Sequence, residues 1–285
     1  MNELVWDAEP TLRRPIMVVA FEGFFDAAQA ATTAVRWLET EHDAELLASI
    51  DPENFFDFTK QRPTVVLDED DHRSISWPAN ELRSVRNLDG PHDLVLLAGV
   101  EPHIRWGTFA DLVVDTADQL NVELVVTLGA VPDIIPHTRT PQVFGSTTTP
   151  GLGSRLGLSR PQYQGPTGLV GVLHDRLDDL GLPAIALRSP VPHYALGAPH
   201  PKASQALIRH LEHVTGNRLH SAKLDGEIRD WAVRHDAAVA NDDQVAAYVT
   251  MLEHQWDQKT EATLSSGEEL ASQFEEFLRE RGDDS

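Results

Sequence analysis

The sequence predicts an α/β protein with a mostly parallel sheet and a C-terminal all-helical appendage, on three observations. Apolar runs of strand length alternate with helical segments of about 10–15 residues, an order typical of parallel sheets covered by helices. The strand-like runs stop after about residue 217. Beyond that point apolar residues recur at helical spacing. We therefore expect a core domain over 1–217 and a helical appendage over 218–285.

The strands are predicted from short, continuous apolar runs. Residues 16–21 read IMVVAF after Pro15, which is typical of a strand buried on both faces. The runs at 93–100 and 122–130 have the same character. Further strands are predicted at 44–50, 63–68, 73–77 and 184–189.

The helices are predicted from their caps and from the spacing of their apolar residues. Asp26, with Gln29 three residues later, has the pattern of a capping box at the start of the first helix. His200 precedes Pro201, and proline is favoured at the first position of a helix, so His200 marks a helix entry. Further helices are expected over about 108–120, 168–180 and 202–215, and from Leu224, Asn241 and Ser266 onward.

Composition excludes several classes of function. The formal net charge of −22 repels phosphate backbones and anionic lipid, so we expect neither a nucleic-acid partner nor a membrane partner. Because the chain has no cysteine, it cannot form a disulfide, a thiolate metal site or a cysteine nucleophile. The first residues lack the basic and apolar regions of a signal peptide, and no apolar run reaches the ~18 residues of a membrane span. We therefore expect a cytoplasmic protein.

Sequence motifs for catalysis and cofactor binding are missing. Walker-type loops, H-E-x-x-H and G-x-S-x-G do not occur, so no nucleophile–base motif supports an enzyme. His210 and His213 lie three residues apart on a predicted helix but lack a third ligand. We predict no metal and no cofactor.

A glycine-rich segment, GPTGLVG at 165–171, opens the helix predicted at 168–180. Gly165, Thr167 and Gly168 could present backbone N–H groups to an anion. The alternative is that the glycines let the helix approach the sheet closely, with Thr167 as its N-cap. The preceding stretch, 131–166, has no clear period, and a loop of that length is usually functional or contains unrecognised elements.

Polar and aromatic residues gather where three predicted strands end. In parallel α/β sheets, ligands bind at the carboxyl ends of the strands. An arginine pair there could hold a phosphate or carboxylate, with a histidine as acid–base, provided that the arginines converge on one cleft. The alternative is that strand-to-helix loops are polar everywhere. The candidate residues are Glu101, Arg105, Trp106, His137, Arg139, His193 and Tyr194.

Several stretches together resemble the bacterial branch of the proteasome assembly chaperone family, over about residues 16–215. The similar stretches are AFEGFFDAAQAA, DPENFFDFTKQRPTV, LLAGVEPHIRWGTF, LGAVPDIIPHTRTP, GPTGLVGVL and PHYALGAPHPKASQAL. The resemblance implies a three-layer α/β/α domain like that of the phosphorylases, and self-association. For eukaryotic and archaeal relatives it implies chaperoning of proteasome core assembly. It implies no reaction and no catalytic residues.

We therefore predict a homo-oligomer, with a trimer as the first expectation, that acts by protein–protein interaction, with proteasome subunits among its expected partners. The printed sequence ends LRERGDDS, whereas chaperones that dock on proteasome rings use a hydrophobic–Tyr–x tail, so docking by that route is not expected. The alternative hypothesis is a small-ligand-binding protein or enzyme of phosphorylase-like fold, with an anionic ligand at the carboxyl ends of the strands.

Overall fold

A computed structural model describes residues 3–68 and 71–261. The strands in these residues are β1 (Leu4–Trp6), β2 (Ile16–Glu22), β3 (Glu45–Ile50), β4 (Thr64–Leu67), β5 (Arg73–Ser76), β6 (Asn80–Val85), β7 (Leu94–Val100), β8 (Leu124–Asp133), β9 (Phe144–Ser146) and β10 (Ala184–Pro192). The helices are α1 (Ala30–Glu41), α2 (Trp106–Gln119), α3 (Leu152–Leu156), α4 (Leu169–Leu180), α5 (Pro201–Thr215), α6 (Asp225–Ala240) and α7 (243–261).

Eight of these strands form one sheet in the order β1-β3-β6-β7-β2-β8-β10-β9. The four central strands, β7, β2, β8 and β10, are parallel to one another. The strands beyond them, β6, β3 and β1 on one side and β9 on the other, join as antiparallel neighbours. Among the described residues, β4 and β5 pair only with each other, as a separate antiparallel hairpin.

Helices cover both faces of the sheet, as expected for parallel strands that are apolar on both sides. Along β2, Met17 and Val19 point into the core beneath α2 and α4. Val18 and Ala20 point into the opposite core, beneath α1 and α5. The α/β class is confirmed, and with it the three-layer α/β/α arrangement that the resemblance implies.

The seven predicted strands are all present, and three short strands were not predicted. β1 and β9 have only three residues each, which is too short for a periodic signal. β6 reads NELRSV, whose polar composition hides its alternating burial. The long segment 131–166 contains the end of β8, β9 and the short helix α3.

The helix starts differ in detail from the sequence pattern. Asp26 does not form a capping box with Gln29: its buried carboxylate accepts hydrogen bonds from the backbone N–H groups of Ala31 (2.8 Å) and Thr32 (3.3 Å), capping α1 from five residues upstream. At α7 the capping side chain is that of Asp242 rather than Asn241. His200 is the N-cap of α5, as predicted. The helix predicted from Ser266 lies outside the described residues.

α6 and α7 lie over the carboxyl ends of β8 and β10. Trp231 of α6 and Leu252 of α7 are almost fully buried. Trp231 packs against His200 at the start of α5, so α6 is packed on the α/β body. Across 3–68 and 71–261, none of the helices combines the length and the apolar character needed to cross a membrane.

Candidate functional site

The structure divides most of the predicted site residues between two places at the carboxyl edge of the sheet. Glu101 and Gly168 meet at the start of α4. His137, Arg139, His193 and Tyr194 meet beneath α6 and α7. The two places have different chemistry and are described in turn.

Glu101 ties two elements of the core together. It follows β7, and its Oε1 accepts a 2.6 Å hydrogen bond from the backbone N–H of Leu169, the first residue of α4. Its Oε2 accepts a 3.2 Å bond from the backbone N–H of Phe24, in the turn after β2. The N-cap residue of α4, Gly168, provides no side-chain cap, so Glu101 supplies both the acceptor and the negative charge that a helix N-terminus favours. We call this arrangement the Glu101 clamp.

Two glycines make room for the Glu101 clamp. A Cβ atom on Gly168 would lie 2.8 Å from Glu101 Oε1, and one on Gly23 would lie 2.6 Å from Oε2. Gly23 also has a φ of +151°, which disfavours other residues. The two glycines therefore allow the Glu101 carboxylate to lie close to the backbone at both positions. Because Leu169 N–H already binds a protein carboxylate, this end of α4 does not offer that donor to an external anion.

The residues of the glycine-rich segment that precede Gly168 are exposed. Gly165 has a φ of +154° and lies beside the Tyr163 hydroxyl, which donates a 3.0 Å hydrogen bond to the carbonyl of Pro166. The predicted N-cap role of Thr167 is not observed, since Gly168 occupies that position. Gly165 and Thr167 thus belong to a surface loop that leads into α4.

An aromatic pocket of about 710 Å³ opens beside the Glu101 clamp. Its walls include Phe24 and Phe25 from the turn after β2, Phe144 from β9 and Tyr163 from the loop before α4. Arg188 of β10 lines the same pocket, with its guanidinium carbon 5.9 Å from the ring centre of Phe25. Arg188 is not among the site residues predicted from the sequence. The sequence feature that could have indicated this residue is an arginine directly after the apolar run AIAL, within the same strand.

His137 is the centre of the second place. It is 1% exposed, and its Nε2 lies 3.0 Å from Oδ1 of Asp236 on α6. Its Nδ1 lies 2.9 Å from the Tyr194 hydroxyl, which also accepts a 2.8 Å bond from the His137 backbone N–H. For a neutral ring, Nε2–H donates to Asp236 and the Tyr194 hydroxyl donates to Nδ1. Tyr194 and Asp236 thus hold the ring from both sides.

Burial favours the neutral forms of His137 and Tyr194. Burial lowers the pKa of His137, even though the hydrogen bond that its ring donates to Asp236 acts in the opposite direction. Burial likewise raises the pKa of Tyr194 to about 12. Since His137 is enclosed by α6, this geometry supports a structural tie between the loop after β8 and α6 rather than acid–base chemistry on a substrate.

Trp231 of α6 fits between two histidines next to His137. Its ring stacks on His235 with centroids 3.9 Å apart, and the ring centre of His200 lies 4.3 Å away on the α5 side. His200 Nδ1 accepts the 3.1 Å hydrogen bond from Ala203 N–H that caps α5. Burial lowers the pKa of His200 to about 3, so the ring is neutral at neutral pH. Lys202 donates a 2.7 Å bond from Nζ to the carbonyl of His137.

Arg139 joins the core to α7. Its Nε and Nη2 bind both carboxylate oxygens of Asp257, at 2.9 and 2.8 Å, and its Nη1 lies 3.2 Å from Glu253. Hydrogen bonding to Asp257 raises the pKa of Arg139 and lowers that of the carboxyl. His193 is exposed, with Nε2 3.4 Å from the Tyr248 hydroxyl of α7. The predicted residues of this second place therefore hold the helical appendage against the body.

Arg105 and Trp106 lie apart from both places. Arg105 begins α2 with a φ of +58°, pairs with Glu3 and stacks over Phe55 at 5.3 Å. The indole N–H of Trp106 donates to the carbonyl of Pro102. Within the described part of the chain, Arg105 and Arg139 share no partner, so the convergence required for a two-arginine anion site is not observed.

Fold and site together define a three-layer α/β/α protein with a helical appendage over the carboxyl ends of its parallel strands. A family model described as the PAC2 family matches residues 20–239. The chain belongs to the PAC2 family, which confirms the resemblance seen in the sequence.

Solved structures agree with this assignment. A PAC2 family protein from Streptomyces avermitilis is 42% identical, with a TM-score of 0.76 over 82% of this chain and 99% of that one. A proteasome-assembly chaperone homologue from Mycobacterium tuberculosis is 36% identical, with a TM-score of 0.74 and the same coverage. An archaeal proteasome activator from Pyrococcus furiosus, at 16% identity and a TM-score of 0.66, shares the fold. No curated protein sequence matches the chain.

Proposed function

We propose that this protein acts by protein–protein interaction, as an assembly factor of the proteasome-assembly-chaperone kind. Membership of the PAC2 family and the 36% identity to a proteasome-assembly chaperone homologue support this kind of function. The structural observation that carries the proposal is an exposed apolar face on the β4–β5 hairpin.

Side chains of the β4–β5 hairpin separate into two faces. Val65 is opposite Ile75 in the antiparallel register, and side chains two positions apart along a strand share a face. Val65, Leu67 and Ile75 therefore lie on one side, beside the exposed Arg73 that is opposite Leu67, and on this side Leu67 is 60% and Ile75 51% exposed. An isolated two-stranded hairpin is at best marginally stable in water, and an exposed apolar patch is typical of an interaction site. We name this surface the hairpin face and assign it to partner binding.

The partners that we propose are a second copy of this chain and a proteasome-type subunit. A net charge of −22 favours a basic patch on the second kind of partner, because opposite charges accelerate encounter and set orientation. We further propose that the protein is cytoplasmic, that it self-associates, with a trimer as the first expectation, and that 1–217 and 218–285 are its two structural units.

The experiment mixes the purified chain with purified proteasome core-particle subunits from the same organism at low salt, and follows complexes by light scattering and native mass spectrometry. We expect a complex with one subunit. The double substitution Leu67→Ser and Ile75→Thr should weaken this complex about tenfold or more. A few anchor residues carry most of the binding energy of an interface, and the double substitution truncates two of them. Val233→Ser, at a residue 68% exposed on α6, is the matched control.

Two results contradict the proposal. One is the absence of a complex with every core-particle subunit at low salt, when screening of charge is weakest. The other is a complex that the hairpin substitutions and Val233→Ser affect equally, which would remove the hairpin face from the interaction.

A further inference from the structure

We propose that the aromatic pocket around Arg188 binds a small organic carboxylate with an apolar body. This inference goes beyond the interaction function above and does not depend on the hairpin face. It rests on the position of one arginine, on the walls around it and on the absence of a protein carboxylate at its guanidinium within the described residues.

Arg188 lies at an unusual position for an arginine. It occupies β10 between β8 and β9, pairing with Gly129 on one side and Phe144 on the other. The side chain is partly buried, and that burial lowers its pKa. An arginine side chain nevertheless stays charged in proteins. A cation therefore lies within the sheet. Removing it from water costs free energy unless an anion or hydrogen bonds offset the loss of hydration.

The described parts of the chain compensate Arg188 only partly. Nη1 donates a 3.3 Å hydrogen bond to the hydroxyl of Ser146, and the guanidinium lies 5.9 Å from the ring of Phe25. No carboxylate among residues 3–68 and 71–261 pairs with it, whereas Arg105, Arg139 and Arg176 each have one. A guanidinium has five N–H donors in a planar fork that matches a carboxylate. Donors therefore remain available for an external acceptor.

The walls around Arg188 define the rest of the ligand. Phe144 is directly opposite Arg188 in the β9–β10 register, so both side chains leave the same face of the sheet. Phe24 and Phe25 meet edge to face at 4.9 Å on another wall, and Tyr163 is 72% exposed at the rim. The exposed Arg160 adds a second positive charge to the lining. Aromatic walls around a partly buried cation favour a ligand with an apolar body and a terminal acid group.

Pocket size favours a small ligand. The volume of about 710 Å³ lies in the range of small-molecule sites, and a few polar groups on apolar walls are typical of them. The Glu101 clamp fixes the pocket, because Glu101 holds the backbone of Phe24 at the turn that provides two of the walls. The same chemistry could come from a free acid or from the C-terminal residue of a polypeptide, and the experiment distinguishes the two.

The test measures binding to the full chain by isothermal titration calorimetry. The probes are phenylacetate, 4-phenylbutyrate and octanoate, each beside its primary amide, which keeps the shape and removes the charge. We expect at least one acid to bind about tenfold or more tightly than its amide, since hydrogen bonds to charged groups are the strong ones. N-acetylphenylalanine and an N-acetylated pentapeptide ending in phenylalanine form the second arm. Tighter binding of the pentapeptide identifies a polypeptide end, and tighter binding of the small acids identifies a free acid.

Substitutions assign the binding to the pocket. Arg188→Gln should abolish the difference between acid and amide, while Arg188→Lys should retain part of it. Tyr163→Ala removes an exposed wall of the pocket and one exposed hydrogen bond to the carbonyl of Pro166, and it should weaken the binding of acid and amide alike, which tests the site even if Arg188→Gln does not fold. Arg176→Gln, at a surface arginine paired with Asp111, is the control and should bind as the wild type does. Equal affinity for acids and amides, no saturable binding of any probe, or unchanged acid binding in Arg188→Gln would each overturn the proposal.

Discussion

Glu101 and Leu169 are 68 positions apart in the sequence, yet a 2.6 Å hydrogen bond joins the carboxylate of the first to the backbone N–H of the second. The bond brings the end of β7 to the start of α4. The second oxygen of Glu101 binds Phe24, so one side chain fixes three elements at the carboxyl edge of the sheet. Glu101, which was predicted to contact a ligand, therefore shapes the neighbouring aromatic pocket instead.

Glu101→Gln should destabilise the protein by about 1–2 kcal/mol, because an amide keeps one acceptor oxygen and turns an NH₂ group toward a backbone N–H. The loss of negative charge at the N-terminus of α4 acts in the same direction. Urea denaturation followed by circular dichroism measures the change in the free energy of unfolding. Glu45→Gln removes an exposed partner of Arg86 and serves as the control, with a change below about 0.5 kcal/mol. Equal effects of the two substitutions would contradict the clamp.

Gly168→Ala tests the space that the Glu101 clamp needs. The new Cβ would lie 2.8 Å from Glu101 Oε1, so either the carboxylate or the start of α4 must shift. We expect a loss of about 1–3 kcal/mol, typical of overpacking. In a Glu101→Ala background the same substitution should cost much less, since the φ of −96° at Gly168 is acceptable for alanine. A double-mutant cycle measures the coupling, and additive effects would show that Glu101 is not the obstacle.

The central fold could be predicted because its strands carry their own signal. Runs such as IMVVAF at 16–21 are apolar on both faces, and Pro15 and the helix that follows mark their ends. β6 could not be predicted, because its inward residues are Asn80, Leu82 and Ser84, and polar residues are not recognised as core. Asn80 is nevertheless buried for a reason: its side chain accepts a 3.0 Å hydrogen bond from the backbone N–H of Val100.

The candidate site was only partly accessible to sequence reasoning. The rule that ligands gather at strand ends selected Glu101 and His137, which do lie at the carboxyl edge of the sheet. It could not indicate that their partners are Leu169 and Asp236, because those contacts join residues far apart in the chain. Arg188 could not be predicted for another reason. It lies within a strand, whereas the rule concerns residues in the loops that follow the strands.

Acidification should weaken the fold through buried neutral histidines. Burial lowers the pKa of His200 from 6.5 to about 3 and that of His174 to about 4, and it also lowers that of His137. These histidines take up a proton in the unfolded chain but not in the folded one as the pH falls below 6.5. Their contribution to the free energy of unfolding is therefore fully present above pH 6.5. It is lost as the pH falls toward the pKa that each histidine has in the folded protein. Each can contribute up to about 1.4 kcal/mol per pH unit.

The measurement is the free energy of unfolding as a function of pH, from neutral to about pH 5, where the carboxyl groups still contribute little. His200→Asn separates one histidine from the rest, because asparagine is a good N-cap for α5 and does not titrate. The variant should show a shallower decline than the wild type, by up to about 1.4 kcal/mol per pH unit. A decline of the same slope in both proteins would exclude His200 as a source of the pH dependence.

The contact between Arg139 and α7 predicts a local rather than a global change. Arg139→Gln removes the paired hydrogen bonds to Asp257 and the contact with Glu253. Since these groups are substantially exposed, their interactions are screened and the loss should be modest. Amide hydrogen exchange over 243–261 should accelerate by less than about fivefold, while the central strands keep their protection. Raising the salt concentration should accelerate wild-type exchange in the same segment and leave Arg139→Gln nearly unaffected. Uniform acceleration across the sheet would instead mean that α7 and the core open as one unit.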